Sequence, residues 1–179
     1  MLFNDRYLCY NFRSKIKRRF DFPPVPVEII MIDGKTKLYG IIGNPVKHSL
    51  SPAMHNAAFT AIDENMAYVP FPVENVADAM TGLKGLGIGG ASVTLPHKEA
   101  VIQFLDDIDP VAEKIGAINT LVVTRGDDGE KILFGTNTDW VGANKALENH
   151  TSLKGSSVVI LVAGGSAKAI GFGLIEAGA

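Results

Sequence analysis

From about residue 36 onward the chain alternates strand-like and helix-like segments, and no other feature limits its fold as tightly. The apolar run 37–42 is closed by Gly43-Asn44-Pro45 and reads as a strand running into a loop. Ser51-Pro52 reads as an N-cap followed by proline at the first helical position, with a helix continuing to Ala61. A strand at 66–71 and a helix at 74–83, ended by the glycines at 82 and 85, come next. Residues 89–94 read as a strand and 96–105 as a helix. The strands 118–123 and 131–135 flank the glycine-containing turn Arg125-Gly126-Asp127-Asp128-Gly129 and form a hairpin. Then come a helix at 139–149, a β-branched buried strand at 156–162 and a helix at 166–177. The fold class is therefore α/β with a mostly parallel sheet. The polar stretch 149–157 marks a boundary between two units.

Composition narrows the class of function. Of 179 residues, 46% are hydrophobic and 20% charged, too apolar for a disordered chain. No apolar run approaches the ~20 residues of a membrane span, so no membrane partner is expected. Cys9, the single cysteine, excludes an internal disulfide framework and a cysteine zinc site, and a reducing cytoplasmic setting fits. A net charge of −2 gives no reason to expect a nucleic-acid partner. The first 30 residues are nevertheless basic (Arg6, Arg13, Lys15, Lys17, Arg18, Arg19), with Leu8, Phe12, Ile16 and Phe20 at four-residue spacing. Pro23-Pro24-Val25-Pro26 reads as an extended linker, and Met31 is a candidate start. Residues 1–35 are thus read as a basic tail and proline-rich linker. His48, His55 and His97 lack the spacing of a metal site, and none is expected.

Four polar clusters stand at strand ends, where open α/β sheets bind ligands. They are 44–51 (with Lys47, His48, Ser49 and Ser51), 92–98 (with Ser92, Thr94 and Lys98), 116–120 (with Asn119 and Thr120) and 135–139 (with Asn137 and Asp139). They offer hydroxyls, amides, an ammonium and a carboxylate. That set suits a small polyhydroxylated acid, whose carboxylate would accept from serine hydroxyls near a helix N-terminus.

The spelling and order of Gly43-Asn-Pro-Val-Lys-His-Ser49-Leu-Ser51-Pro, Ser92-Val-Thr94-Leu-Pro-His-Lys98, Gly116-Ala-Ile-Asn119-Thr120 and Gly135-Thr-Asn-Thr-Asp139 resemble the shikimate dehydrogenase family over about residues 36–178. The resemblance implies NADP-dependent, reversible reduction of 3-dehydroshikimate to shikimate in aromatic amino-acid (chorismate) biosynthesis. It implies a shikimate-binding α/β substrate domain at 36–148, followed by the start of a Rossmann-type NADP-binding domain at 149–179, so that the chain reads as a shortened form. Carried over by residue, Ser49 and Ser51 hold the substrate carboxylate, while Thr94, Asn119 and Asp139 bind hydroxyls and ring. Lys98 is the catalytic acid/base, paired with Asp139. The partner is a small molecule, and a homodimer is the candidate assembly.

The chemistry asks for these types on its own terms. Hydride transfer to a ketone needs a proton at the same oxygen, and a positioned side chain contributes roughly 10²–10⁴-fold. A lysine, ordinarily protonated at neutral pH, can donate it and stabilise the developing alkoxide. In the cofactor half, Ala163, Gly164, Gly165 and Ser166 form the candidate phosphate loop. Gly164 and Ala167 match G-x-G-x-x-A, but Val162 replaces its first glycine. Two other readings belong beside the enzyme: a non-catalytic shikimate-binding pseudoenzyme, and a quinate/shikimate dehydrogenase.

Overall fold

The computed structural model describes residues 32–179. The basic stretch with Cys9, the proline run and Met31 lie outside the described residues. β1 (Lys37–Gly43), α1 (Ser51–Ala61), β2 (Met66–Pro72), α2 (Val76–Leu86) and β3 (Gly90–Val93) come first. A 3-10 turn (Ile102–Phe104), β4 (Asp107–Ile108), α3 (Pro110–Ile115), β5 (Thr120–Arg125), β6 (Lys131–Thr136), α4 (Asp139–Glu148) and α5 (Gly165–Glu176) follow.

The strands form one sheet in the order β2-β1-β3-β5-β6-β4. β2/β1, β1/β3 and β4/β6 are parallel, whereas β5 runs antiparallel to both β3 and β6. The α/β class and mostly parallel sheet are as expected. The reversed strand matters for the site. It brings the start of β5 to the same edge at which β1, β3 and β6 end, so all four polar clusters converge there.

The two faces of the sheet differ. On one, Ile42, Ala91, Val93, Leu121 and Leu133 pack against Met80 and Leu83 of α2 and Ala112 of α3. Leu133 is fully buried. The other face is covered at β1 and β2 by α1, through Ile41, Val46 and Tyr68 with Phe59. Over β3, β5 and β6 it carries Ser92, Thr120, Phe134 and Thr136, all half-buried. A third cluster joins α3, α4 and α5, with Trp140 edge-on to Phe172 at 5.6 Å between centroids. Asn144 Nδ2 donates to Gly173 O across the same contact.

Several local expectations are corrected. Ser51 is the first residue of α1 and Leu50 its cap, because the Ser51 N–H is already satisfied by Ser49 Oγ at 3.2 Å. α2 runs through Gly82 and Gly85 and stops only at Gly87, which takes the left-handed conformation (φ 70°). Asn75 starts it by accepting from the N–H groups of Ala77 and Asp78. Residues 96–105 form turns and the 3-10 segment, not a helix. The Lys98 carbonyl, which a helix would offer to Ile102 N, accepts instead from Ile118 N at 2.7 Å. β4 and α3 are additional to the expected elements, with Asp109 and Pro110 starting α3 and Gly116 ending it. The expected strand at 156–162 does not form: Val159 and Leu161 are 82% and 90% exposed, and no ladder partner stands beside them among the described residues.

Candidate functional site

The convergent edge is built around Lys98 and Asp139. Lys98 follows β3 in a tightly turned segment anchored at both ends. His97 beside it is buried, with Nε2 2.8 Å from Val73 O, and the Lys98 carbonyl is held by Ile118 N. Asp139 opens α4, its N–H donating to Asn137 Oδ1 at 2.9 Å. Asn137 is itself buried and donates to Ala117 O at 2.8 Å. Both charged groups are therefore carried by backbone that is hydrogen-bonded on either side.

Lys98 Nζ lies 2.5 Å from Asp139 Oδ2, with the two side chains 12% and 27% exposed. At that burial, removing one partner leaves the other charge partly desolvated and unpaired. Asn119 Nδ2 donates to Asp139 Oδ1 at 2.7 Å and to Thr138 Oγ1 at 3.0 Å. Asn119 Oδ1 accepts from Thr138 N at 3.0 Å and Thr120 Oγ1 at 2.8 Å. The amide thus ties the carboxylate to Thr138 and Thr120. Lys98 also donates to Ser166 Oγ at 3.0 Å. An ammonium has three N–H groups, so one remains to point into the site.

Ser49 and Ser51 lie half-buried at the start of α1, and Thr94 half-buried at the end of β3. The loops meet through Asn44 N, which donates to Leu95 O at 2.9 Å. Among the described residues, no hydrogen bond joins Ser49, Ser51 or Thr94 to the Lys98–Asp139 network; Ser49 Oγ accepts from the Ser51 N–H. Ala163 and Gly164 are exposed, whereas Gly165 is buried. A side chain at Gly165 would place its Cβ 3.0 Å from Ala117 Cβ and 3.1 Å from Lys98 Cβ, and glycine permits that approach. Sequence reasoning missed three things. Asn137, Thr120 and Thr138 act as supports, although each lies within a polar cluster already singled out. Ser166, read only as part of the phosphate loop, reaches Lys98. Glu99, next to Lys98, pairs with Lys168 of α5 at 2.6 Å.

A nucleotide pyrophosphate fits the start of α5 in one respect: no side chain caps the first N–H groups of the helix, and nothing lies within 4 Å of where a Gly164 side chain would be. Among the described residues, no three His, Cys, Asp or Glu stand close enough to hold a metal, and no helix is long and apolar enough to cross a membrane.

Comparison with known proteins gives one consistent pattern. Residues 41–121 match the model of the shikimate dehydrogenase substrate binding domain. A shikimate dehydrogenase (NADP(+)) of Methanothermobacter thermautotrophicus is 54% identical over 151 residues, which is 83% of this chain and 52% of that protein. The crystal structure of shikimate dehydrogenase from Aquifex aeolicus superposes with a TM-score of 0.77 at 39% identity, covering 83% of this chain and 55% of that one. The ligand-free form of a 5-ketofructose reductase of Gluconobacter sp. superposes at 0.70 with 36% identity, over 82% and 52% of the two chains. The chain spans about half the length of the curated relatives it matches.

Proposed function

Since the chain belongs to the shikimate dehydrogenase family, we propose that it supplies the substrate half of an NADP-dependent oxidoreductase interconverting 3-dehydroshikimate and shikimate in the cytoplasm. Residues 36–148 would be the substrate domain and 149–179 the opening of a dinucleotide-binding unit. The observation that carries this reading is the Lys98–Asp139 contact at 2.5 Å, formed across 41 residues of sequence and braced by Asn119.

In this reading Ser49 and Ser51 hold the substrate carboxylate at the start of α1, and Thr94 takes a ring hydroxyl. The remaining N–H of Lys98 points at the reacting oxygen. In the reducing direction Lys98 gives its proton to that oxygen as the alkoxide develops, and its charge stabilises the alkoxide beforehand. In the oxidising direction the lysine, once neutral, takes the hydroxyl proton back. Asp139 holds the ammonium in line, Asn119 holds Asp139, and both would also bind substrate hydroxyls. Gly164, Gly165 and Ser166 would receive the nucleotide phosphates, and when bound the nicotinamide supplies or accepts the hydride.

Shikimate titrated calorimetrically into the chain tests the first part, with saturable one-to-one binding expected. Lys98→Ala tests the second. In a form carrying a complete cofactor half it should lose turnover by roughly 10²–10⁴-fold, read as NADPH formation, while shikimate affinity changes little. Near-unchanged turnover would remove Lys98 from the chemistry. Binding without turnover in every form of the protein would favour a pseudoenzyme.

A further inference from the structure

The open face of the sheet carries a row of hydroxyls. Ser92, Thr120 and Thr136 stand directly opposite one another on β3, β5 and β6, and so share one face. Their end of the sheet adjoins Asn119, which takes the Thr120 proton. From β2, across β1, the Tyr68 phenol extends this row and lies 2.7 Å from Ser92 Oγ.

Tyr68 is held through both its backbone and its ring. It is 4% exposed. Asn56 of α1 accepts from its backbone N–H at 2.8 Å and donates to its carbonyl at 2.9 Å, taking the place of a neighbouring strand at the sheet edge. The His55 ring stacks on the phenol with centroids 4.2 Å apart and planes within 17°. Burial raises the phenol above its ordinary value, so its proton stays on. Among the described residues the phenol's hydrogen-bond partner is Ser92, to whose Oγ it donates. A serine hydroxyl has two lone pairs and a single proton. With Tyr68 filling a lone pair, the Ser92 proton is not used on Tyr68 and stays available to another acceptor.

We infer that Tyr68 is a positioning residue: through Ser92 it keeps a donor available to one ring oxygen of the bound substrate. This inference rests on the shikimate reading proposed above and assigns a selectivity element to the same site. His55 lies one helical turn beyond Ser51, so the helix that would seat the carboxylate also sets the phenol.

The test is a calorimetric series with shikimate and with analogues each lacking one ring hydroxyl, using the chain itself, Tyr68→Phe, Ser92→Ala and the double variant. Tyr68→Phe should weaken shikimate binding by roughly tenfold, the net worth of one hydrogen bond. That penalty should vanish for a single deoxy analogue and persist for the others, which a merely structural loss would not produce. Ser92→Ala should show the same pattern, and the double variant should bind no more weakly than Ser92→Ala. Ser92→Ala carries the same comparison among analogues should Tyr68→Phe fail to fold. Unchanged binding, a penalty common to all analogues, or additive losses would overturn the inference while leaving the substrate reading intact. Failure of the unsubstituted chain to bind shikimate would overturn both.

Discussion

Two runs of similar composition, 118–123 and 156–162, meet different fates. Both are rich in β-branched and aliphatic residues and both read as strands, the first as an arm of a hairpin and the second as buried. Residues 120–123 of the first lie in β5, paired with β3 and β6, and Leu121 is 1% exposed. The second forms no strand and leaves Val159 and Leu161 in solvent. The helix that follows it, α5, forms in full. A helix closes its hydrogen bonds within itself and needs only one side packed, here through Ala167, Ala169 and Leu174. A strand has no internal bonds, so its propensity is realised only beside another strand. The same local signal therefore yields structure in one region and not in the other.

The largest expected effect tests that contrast directly. Leu133→Ala, in the middle of the paired sheet, should cost about 2–5 kcal/mol of unfolding free energy. Val159→Ser, in the unpaired run, should change it by less than ~0.5 kcal/mol. Urea midpoints compare the two, and losses of equal size would mean that the second run is packed after all. A finer test uses two glycines of α5. Gly165→Val forces a side chain between Ala117 and Lys98 and should cost about 1–3 kcal/mol. Gly171→Ala meets only ordinary contact, with Ile160 Cδ1 at 3.7 Å, and should stabilise by up to ~1 kcal/mol through helix propensity. Stabilisation by both would show that α5 is not pressed against the Lys98 segment.

The same contrast explains what could be read from the sequence. The alternation of segments gave the α/β class, and the hairpin at 125–129 appeared where its turn residues placed it. The four clusters converge because β5 is reversed, a fact about pairing that no local pattern carries. Lys98 and Asp139 were legible from motif spelling, but the interlocked amides of Asn119 and Asn137 that fix Asp139 are not, since any polar residue in a loop looks alike until its partners are known. The helix expected at 96–105 failed for a similar reason. Its Lys98 carbonyl is taken by a residue 20 positions away, a tertiary demand that overrides local preference. Ser166 on Lys98 is a contact between regions that were read as separate units.

The smallest effect concerns how the paired region is fastened at its edge. Asp106, just before β4, lies 2.5 Å from Lys84 at the end of α2 and accepts from the Leu133 N–H at 2.6 Å. The Lys84 ammonium first, and that backbone N–H second, hold its carboxyl below the ordinary value. A carboxyl depressed on folding adds stability above its unfolded pKa of about 3.9, and the contribution is lost as pH falls through the lower folded value. Since the Asp106 side chain is 42% exposed, screening keeps the contribution under about 1 kcal/mol. Acidification should therefore raise hydrogen exchange at the Leu133 amide relative to the amides of α5, once the base pH dependence of exchange is divided out. Asp106→Asn should remove that difference. If acid loosens α5 as much as the Leu133 amide, the sheet edge and α5 open as one unit, and the Asp106 contact does not act on the paired strands alone.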